Sequence, residues 1–194
     1  STAYEYFDPD LAQHEYDPEQ AKSLLKAAGA EGLTTTLHAS NTPFTGAVEA
    51  SQLFAEHASA SGISINVARE PEDGYWSNIW GKKPFFASRW SGRANEDLML
   101  ALAYSAESIG DYNETNWNDP AFNAAMVAAR SEKDDAKRRA LYSECQMLIS
   151  QNGGIIAPMW ADHLDAKSSK VSTPEAISGD WDLDGNRCAE RWWF

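Results

Sequence analysis

The sequence predicts an α/β fold with a mixed, mostly parallel sheet flanked by helices. Residues 33–39 and 63–67 alternate apolar with polar side chains and are rich in β-branched residues, which is typical of strands. The stretch between them, residues 46–61, places alanines and Phe54 on one side of a helix, and Gly62 ends it. Strand, helix and strand in this order predict a βαβ unit with a right-handed crossover.

Composition narrows the class of protein. The chain has 194 residues, of which 43% are hydrophobic and 23% charged, as in an ordinary globular protein. Its formal net charge of -13 argues against binding to nucleic acid, which depends on Lys and Arg neutralising phosphates, and against a surface that binds anionic lipid. No apolar run has the length of a membrane-spanning helix, so we expect no direct insertion into a membrane.

Helix-start and helix-stop signals place the remaining elements. Asp17 and Asp119 each precede a proline, the arrangement of an N-cap followed by a first helical turn. The predicted helices are residues 17–29, 46–61, 70–81, 96–104, one that begins at Asp119, and 134–153. On the helix that begins at Asp119, four residues are expected to face inward: Phe122, Ala125, Met126 and Ala129. The predicted strands are residues 33–39, 63–67, 85–87 and 155–160, with a polar loop over 105–118 and a tail over 171–194.

The charged side chains in one stretch of this acidic chain are all positive. No acidic residue lies between Asp73 and Glu96, and the four cations there are Lys82, Lys83, Arg89 and Arg93. Residues 85–87 are predicted to be a short buried strand, and residues 90–95 the loop that leaves its carboxyl end. Because ligands of open α/β sheets bind beside such loops, we expect a binding site here.

The candidate ligand-binding residues can stack on a ligand, hydrogen-bond to it or pair with its charge. They are Trp90, Ser91, Gly92, Arg93, Asn95, Glu96 and Asp97, together with Tyr75 and Trp76 from the preceding short helix. Simpler interpretations stay open for several of them. Tyr75 and Trp76 have the spacing of core residues, Trp90 can be a core ring, and Arg93 can form an ion pair with an acid at the start of the next helix.

The sequence offers no anchor for catalysis, a cofactor or a metal. The four histidines are scattered, and no nucleophile elbow, P-loop or dinucleotide-binding motif occurs. Residues 180–185 match the first half of a calcium loop, but the position of the required Glu holds Arg191, so we interpret them as an acidic turn. Cys145 is expected on the buried side of its helix, and a disulfide with Cys188 stays open.

Six stretches together resemble one family, the extracytoplasmic solute-binding proteins of peptide ABC importers of the dipeptide/oligopeptide type. They are residues 16–29 (YDPEQAKSLLKAAG), 60–65 (ASGISI), 90–92 (WSG), 118–123 (NDPAFN), 138–142 (RRALY) and 155–159 (IIAPM). The resemblance implies a lobe like that of type II periplasmic-binding proteins, and a periplasmic receptor rather than an enzyme. Its implied partners are a peptide solute, bound between two lobes, and the membrane permease of an ABC transporter.

The members of this family are much longer than this chain, which shapes the predicted domains. We expect residues 1–170 to be the second, C-terminal lobe, incomplete at its N-terminal side, and residues 171–194 to be a tail that returns to a first lobe. The chain starts with Ser1, without an initiator Met or a signal peptide, so we expect it to be the back part of a longer polypeptide. The consecutive rings at 192–194 would then bury against that missing lobe.

The resemblance has one gap, which bears on the solute. Peptide binders of this type place an Asp-rich cluster shortly after Trp-x-Gly, whereas residues 93–97 here are Arg-Ala-Asn-Glu-Asp. A guanidinium pairs with a carboxylate through two parallel hydrogen bonds, so Arg93 predicts a peptide-like solute with an anionic group. Two alternatives from other classes are a glycoside hydrolase that uses paired carboxylates and a stand-alone interaction module.

Overall fold

The computed structural model describes residues 2, 4–179 and 181–194, which form two compact units. The sheet unit is Ala12–Trp90, and the helical unit is Ser1–Leu11 together with Ser91–Phe194. The first acid of the predicted acidic turn, Asp180, and two residues of the N-terminal lead-in lie outside the described residues. The return of the tail to another lobe stays a prediction.

The sheet unit contains the predicted βαβ arrangement. Its elements are α1 (Pro18–Ala27), β1 (Thr34–Ala39), α2 (Ala47–Ser59), β2 (Ser64–Arg69) and α3 (Tyr75–Asn78). The Asp17 carboxylate caps α1 by accepting the amide hydrogen of Gln20, as the Asp-Pro signal predicts. β1 and β2 pair in parallel, from Thr34 opposite Ser64 to Ala39 opposite Arg69. The predicted parallel pairing is therefore confirmed.

A third segment pairs with the other edge of β1. The His38 amide donates to the Phe85 carbonyl at 3.0 Å, and the Ala87 amide donates to the His38 carbonyl at 2.9 Å. This makes a single parallel bridge between His38 and Phe86 rather than a full strand. The side chains at 85–87 are half-buried, so the prediction of a buried strand holds only for the direction and pairing of the chain.

The helical unit has the larger core. Its elements are α4 (Glu96–Tyr104), a 3-10 turn (Ala106–Ser108), α5 (Pro120–Ser131), α6 (Asp135–Asn152), α7 (Asp182–Asn186) and α8 (Cys188–Arg191). Four α5 residues predicted to face inward are all buried: Phe122, Ala125, Met126 and Ala129. They pack with Tyr142 and Cys145 of α6. Cys145 is buried as predicted, and both Cys145 and Cys188 are free thiols.

The tail folds around one buried carboxylate. Asp184 is completely buried and accepts hydrogen bonds from the Ser178 amide at 2.7 Å, the Arg191 guanidinium at 2.8 Å and the Trp192 indole at 3.2 Å. Leu183, Asp184 and Gly185 have positive φ angles, so α7 is a left-handed turn rather than an ordinary helix. The acidic turn predicted here therefore serves to order the tail.

The prediction of a strand at residues 155–160 is wrong. Residues 155–160 form no strand, and their side chains are exposed, Trp160 at 77%. A strand needs a partner for its main-chain groups, and none of the described residues pairs with this segment, in which Pro158 also lacks an amide hydrogen. Helix α1 has no buried side chain, and Leu24 is 65% exposed.

Candidate functional site

The predicted ligand-binding residues belong to both units. Tyr75, Trp76 and Trp90 lie in the sheet unit, whereas Ser91 and the residues up to Asp97 lie in the helical unit. The two sets are therefore described separately. In each set, some side chains face solvent and others hold the main chain in place.

In the sheet unit, Tyr75 and Trp76 have different surroundings although they are neighbours in α3. Tyr75 is only 1% exposed, and its hydroxyl donates to the Ala87 carbonyl at 2.7 Å and to the His38 carbonyl at 3.3 Å. These bonds tie the segment that leads to Trp90 onto β1, which favours the core interpretation of Tyr75. Trp76 is 44% exposed and packs edge-to-face on Tyr75 with 5.7 Å between ring centroids. Trp76 therefore presents a ring to solvent, and Tyr75 does not.

A polar pair that the sequence did not indicate lies at the carboxyl edge of the sheet. The His38 Nδ1 atom lies 2.6 Å from the Glu70 Oε1 atom, and both side chains are largely buried. His38 is near the end of β1, and Glu70 directly follows β2, so the parallel register brings them together. The sequence could not indicate this pair, because His38 and Glu70 are 32 residues apart and only the pairing of the strands brings them together. Ligand sites of open α/β sheets form at this edge.

In the helical unit, Arg93 is held against its own loop. Its Nη1 atom donates to the Ser91 carbonyl at 2.9 Å and to the Gly92 carbonyl at 3.0 Å. Its amide donates to the Tyr4 hydroxyl oxygen at 2.8 Å. Ser91, Gly92 and Arg93 are all half-buried. The contacts fix the position of a positive charge beside the main chain of residues 91–92, where sequence reasoning placed the binding loop.

The acids at the start of α4 also differ from each other. The Asp97 carboxylate accepts two hydrogen bonds from Arg130 Nε, at 2.8 and 3.0 Å, and one from the Tyr142 hydroxyl at 3.4 Å. Asp97 therefore braces α4 against α5 and α6, and its role as a ligand contact stays a prediction. Glu96 is half-buried, and within the described residues no hydrogen bond or ion pair engages its carboxylate. Asn95 is the N-cap of α4, since its Oδ1 atom accepts the Leu98 amide hydrogen at 2.9 Å.

The electrostatics of this brace keep Tyr142 protonated. Burial, reinforced by the nearby Asp97 and Glu96 carboxylates, raises the pKa of Tyr142 to about 12. The hydroxyl therefore remains a hydrogen-bond donor to Asp97 at neutral pH. The hydrogen bond that Arg130 donates to Asp97 in turn raises the pKa of the Arg130 guanidinium above its ordinary value.

The chemistry within reach is stacking, hydrogen bonding and charge pairing. Among residues 2, 4–179 and 181–194 there is no cluster of three or more His, Cys, Asp or Glu side chains that could hold a metal ion. In the same ranges, no helix is both long and apolar enough to span a bilayer.

Comparison with known families gives a direct match. Residues 1–111 match the family model described as bacterial extracellular solute-binding proteins, family 5 middle. This range contains all nine candidate ligand-binding residues. The resemblance predicted from the sequence is therefore confirmed.

A curated relative supports the same class. Di/tripeptide-binding protein 4 of Pseudomonas aeruginosa strain UCBPP-PA14 is 33% identical over 148 residues, which cover 70% of this chain and 27% of the relative. The chain thus spans less than a third of the length of the curated relatives that it matches. These relatives are binding proteins rather than enzymes, so the hydrolase and stand-alone-module alternatives find no support.

Solved structures confirm the predicted α/β fold of the type II periplasmic-binding-protein class. HbpA2 from Haemophilus parasuis superposes with a TM-score of 0.69 at 21% identity, covering 79% of this chain and 32% of that one. MoaA of A. tumefaciens R10, in complex with mannopinic acid, superposes with a TM-score of 0.63 at 30% identity, covering 78% of this chain and 31% of that one.

Proposed function

Because the chain belongs to the bacterial extracellular solute-binding proteins of family 5, we propose that it is part of the solute-binding receptor of an ABC importer. The receptor binds a peptide or peptide-like solute with an anionic group outside the cytoplasm and delivers it to the membrane permease. The observation that carries this proposal is the family match over residues 1–111, which include the whole candidate loop. Binding occurs by closure of two lobes, in which contacts from both sides favour the closed state.

The peptide class is supported by the names of relatives. The relative with 33% identity is named a di/tripeptide-binding protein, and a structural neighbour from Pseudoalteromonas sp. SM9913 is a dipeptide-binding protein in complex with Met-Leu. A peptide presents amides, an ammonium group and a carboxylate. The candidate loop carries main-chain groups, an acid and a guanidinium that complement them.

The anionic preference is supported by the charge of the loop. Arg93 is the cation whose guanidinium is fixed beside the Ser91 and Gly92 carbonyls, in a stretch without acids. A charge that is already in place loses little conformational entropy when a ligand binds. The neighbour with 30% identity was solved with mannopinic acid, a ligand that is itself an acid. We assign Arg93 to the anionic group of the solute.

The other candidate residues have distinct roles in this proposal. Trp90 stacks on the solute, and Ser91 and Gly92 form main-chain hydrogen bonds with it. Trp76 presents an exposed ring for a further apolar contact. Glu96 receives the ammonium end of the solute. Three further residues act mainly on the protein itself: Asn95 caps α4, Asp97 braces it, and Tyr75 holds the segment before Trp90.

The test uses two dipeptides that differ by one charge. Calorimetric titration of the full-length protein with Ala-Glu and with the isosteric Ala-Gln measures how much the extra carboxylate contributes to the binding affinity. We expect Ala-Glu to bind about tenfold more tightly, since a hydrogen bond to a charged group contributes about 1.5 to 3 kcal/mol. The Arg93→Ala protein should lose this preference. The Lys83→Ala protein, which loses an exposed cation from the same acid-free stretch, should retain it.

Two results would contradict the proposal at different levels. Equal affinity of the wild-type protein for both dipeptides removes the anionic class and leaves the peptide class. Absence of binding to any di- or tripeptide removes the peptide class as well. Because Arg93→Ala also deletes the contacts to the loop carbonyls, Arg93→Lys serves as a second variant that keeps the charge and loses the planar fork.

A further inference from the structure

The N-terminal strap, residues 4–8, contacts the candidate loop through Tyr4. The amide of Arg93 donates to the Tyr4 hydroxyl oxygen at 2.8 Å across 89 residues of chain. Both residues are half-buried. A main-chain donor that is partly removed from water needs an acceptor, and here a side-chain oxygen supplies it. The loop conformation thus depends on a residue far away in the sequence.

The strap is itself firmly held by α6. The Gln146 side chain donates to the Tyr6 carbonyl at 2.8 Å and accepts the Asp8 amide hydrogen at 3.1 Å. The Tyr6 hydroxyl donates to the Asp135 carboxylate at 2.8 Å, and the Tyr6 ring lies 5.2 Å from the Tyr142 ring. These contacts fix the strap over a helix that belongs to the core of the unit. Tyr4 therefore extends from a segment whose position is fixed by its contacts with α6.

The opposite end of the loop has its own anchor. Asn95 caps α4, and Asp97 ties the first turn of α4 to Arg130 and Tyr142. The loop between these points holds Ser91, Gly92 and Arg93, and Tyr4 of the strap bonds to it. The Arg93 side chain binds the carbonyls on one side of the loop main chain, while Tyr4 binds the amide of Arg93 itself.

We propose that Tyr4 is a positioning residue for the solute site, acting through the Arg93 amide. The hydroxyl oxygen fixes the main chain of Arg93, and that main chain sets where the guanidinium meets the anionic group of the solute. Tyr4 does not touch the solute itself. The role rests on the proposed function, since it requires Arg93 to contact a solute.

The test removes one oxygen atom and reads its effect at two levels. In full-length protein labelled with ¹⁵N-arginine, the Tyr4→Phe substitution should speed hydrogen exchange of the Arg93 amide about fivefold or more, the effect of one lost hydrogen bond. Titration should show a similar fall, about fivefold, in the preference for Ala-Glu over Ala-Gln. A purely structural loss would weaken both dipeptides equally.

A matched control deletes a hydroxyl elsewhere. Tyr16 lies in the sheet unit, and its exposed hydroxyl donates to the His57 carbonyl at 3.2 Å. The Tyr16→Phe protein should match the wild type in Arg93 exchange and in dipeptide preference. Equal melting temperatures of Tyr4→Phe and Tyr16→Phe would show that the local change is not global unfolding.

The outcomes separate this role from the function on which it rests. Unchanged Arg93 exchange in Tyr4→Phe overturns the positioning role, and so does faster exchange with an unchanged dipeptide preference. Either result leaves the receptor proposal intact if the wild-type protein prefers Ala-Glu. A wild-type protein without that preference instead overturns the assignment of Arg93, and the role of Tyr4 with it.

Discussion

The two sets of candidate residues are held in place by different interactions. In the sheet unit, residues 85–87 are positioned by main-chain hydrogen bonds to β1, and the Tyr75 hydroxyl adds a hydrogen bond to the Ala87 carbonyl. In the helical unit, side chains do this work, since Tyr4 and Arg93 hold the loop and Arg130 holds Asp97. Main-chain pairing tolerates side-chain replacement, whereas a side-chain network does not. We therefore expect solute binding to be more sensitive to substitution of Tyr4 or Arg93 in the helical unit than to substitution of Tyr75 in the sheet unit.

The largest expected effect is on the stability of the helical unit, whose core supports the residues that hold Asp97. Phe122 is completely buried between α5 and α6, the helices that supply Arg130 and Tyr142. Phe122→Ala should lower the free energy of unfolding by about 3 to 5 kcal/mol, because it removes apolar contacts and leaves a cavity. Urea denaturation measures the change. Val127→Ala, at a 59% exposed position of the same helix, is the control and should cost far less.

A smaller effect is expected in the sheet unit. Tyr75→Phe keeps the buried ring and deletes the hydroxyl that donates to Ala87 at 2.7 Å. We expect a loss of about 1 to 2 kcal/mol in the free energy of unfolding, because a carbonyl loses its donor in a buried setting. Dipeptide affinity should change little. A strong loss of affinity with unchanged stability would instead indicate that Tyr75 contacts the solute.

Alkaline pH should affect the helical unit. Burial raises the pKa values of Tyr104, Tyr142 and Cys145 to about 12 from ordinary values of 10.0, 10.0 and 9.0. These groups stay protonated in the folded state while the unfolded chain releases its protons, so stability is fully present below about pH 9 and falls as pH rises toward 12. We expect a loss on the order of 1 kcal/mol by pH 10.

Reversible denaturation at a series of pH values measures whether the free energy of unfolding falls as the pH rises.

The two cysteines should differ in reactivity. At pH 8, a thiol reagent should modify half-buried Cys188 well before Cys145, which is completely buried. Stability that rises between pH 9 and 11, or faster labelling of Cys145, would contradict the buried environment of these groups.

The smallest expected effect concerns the brace at α4. Asp97→Asn should lower the free energy of unfolding by about 0.5 to 1 kcal/mol, because Arg130 is 41% exposed and its ion pair is screened by solvent. In the same variant, the preference for Ala-Glu over Ala-Gln should be kept. A complete loss of dipeptide binding at wild-type stability would make Asp97 a direct contact.

Local signals in the sequence predicted much of the fold. Asp17 and Asp119 cap their helices as expected, since an N-cap depends on residues only two or three positions away. The buried stripe that contains Phe122 was also readable, because its apolar spacing matches one helical face. The strand expected at 155–160 failed because pairing depends on a partner that a local pattern cannot supply.

The sequence predicted where the candidate loop lies between its neighbouring elements, but not the contacts that hold it. The acid-free stretch and the helix start at Glu96 identified the loop, and both are local features. The acceptor at Tyr4 lies 89 residues from Arg93, and the partner of Asp97 lies 33 residues away. Which acid is engaged and which residue orients the loop follow from packing of distant segments, so spacing in the sequence could not indicate them.

The receptor proposal requires the loop at Ser91, Gly92 and Arg93 to contact the solute. Titration of full-length protein, labelled with ¹⁵N on glycine and arginine, with Ala-Glu tests it most directly. We expect the Gly92 and Arg93 amide resonances to shift along the binding curve measured by calorimetry. Tight binding with both resonances unmoved would contradict it.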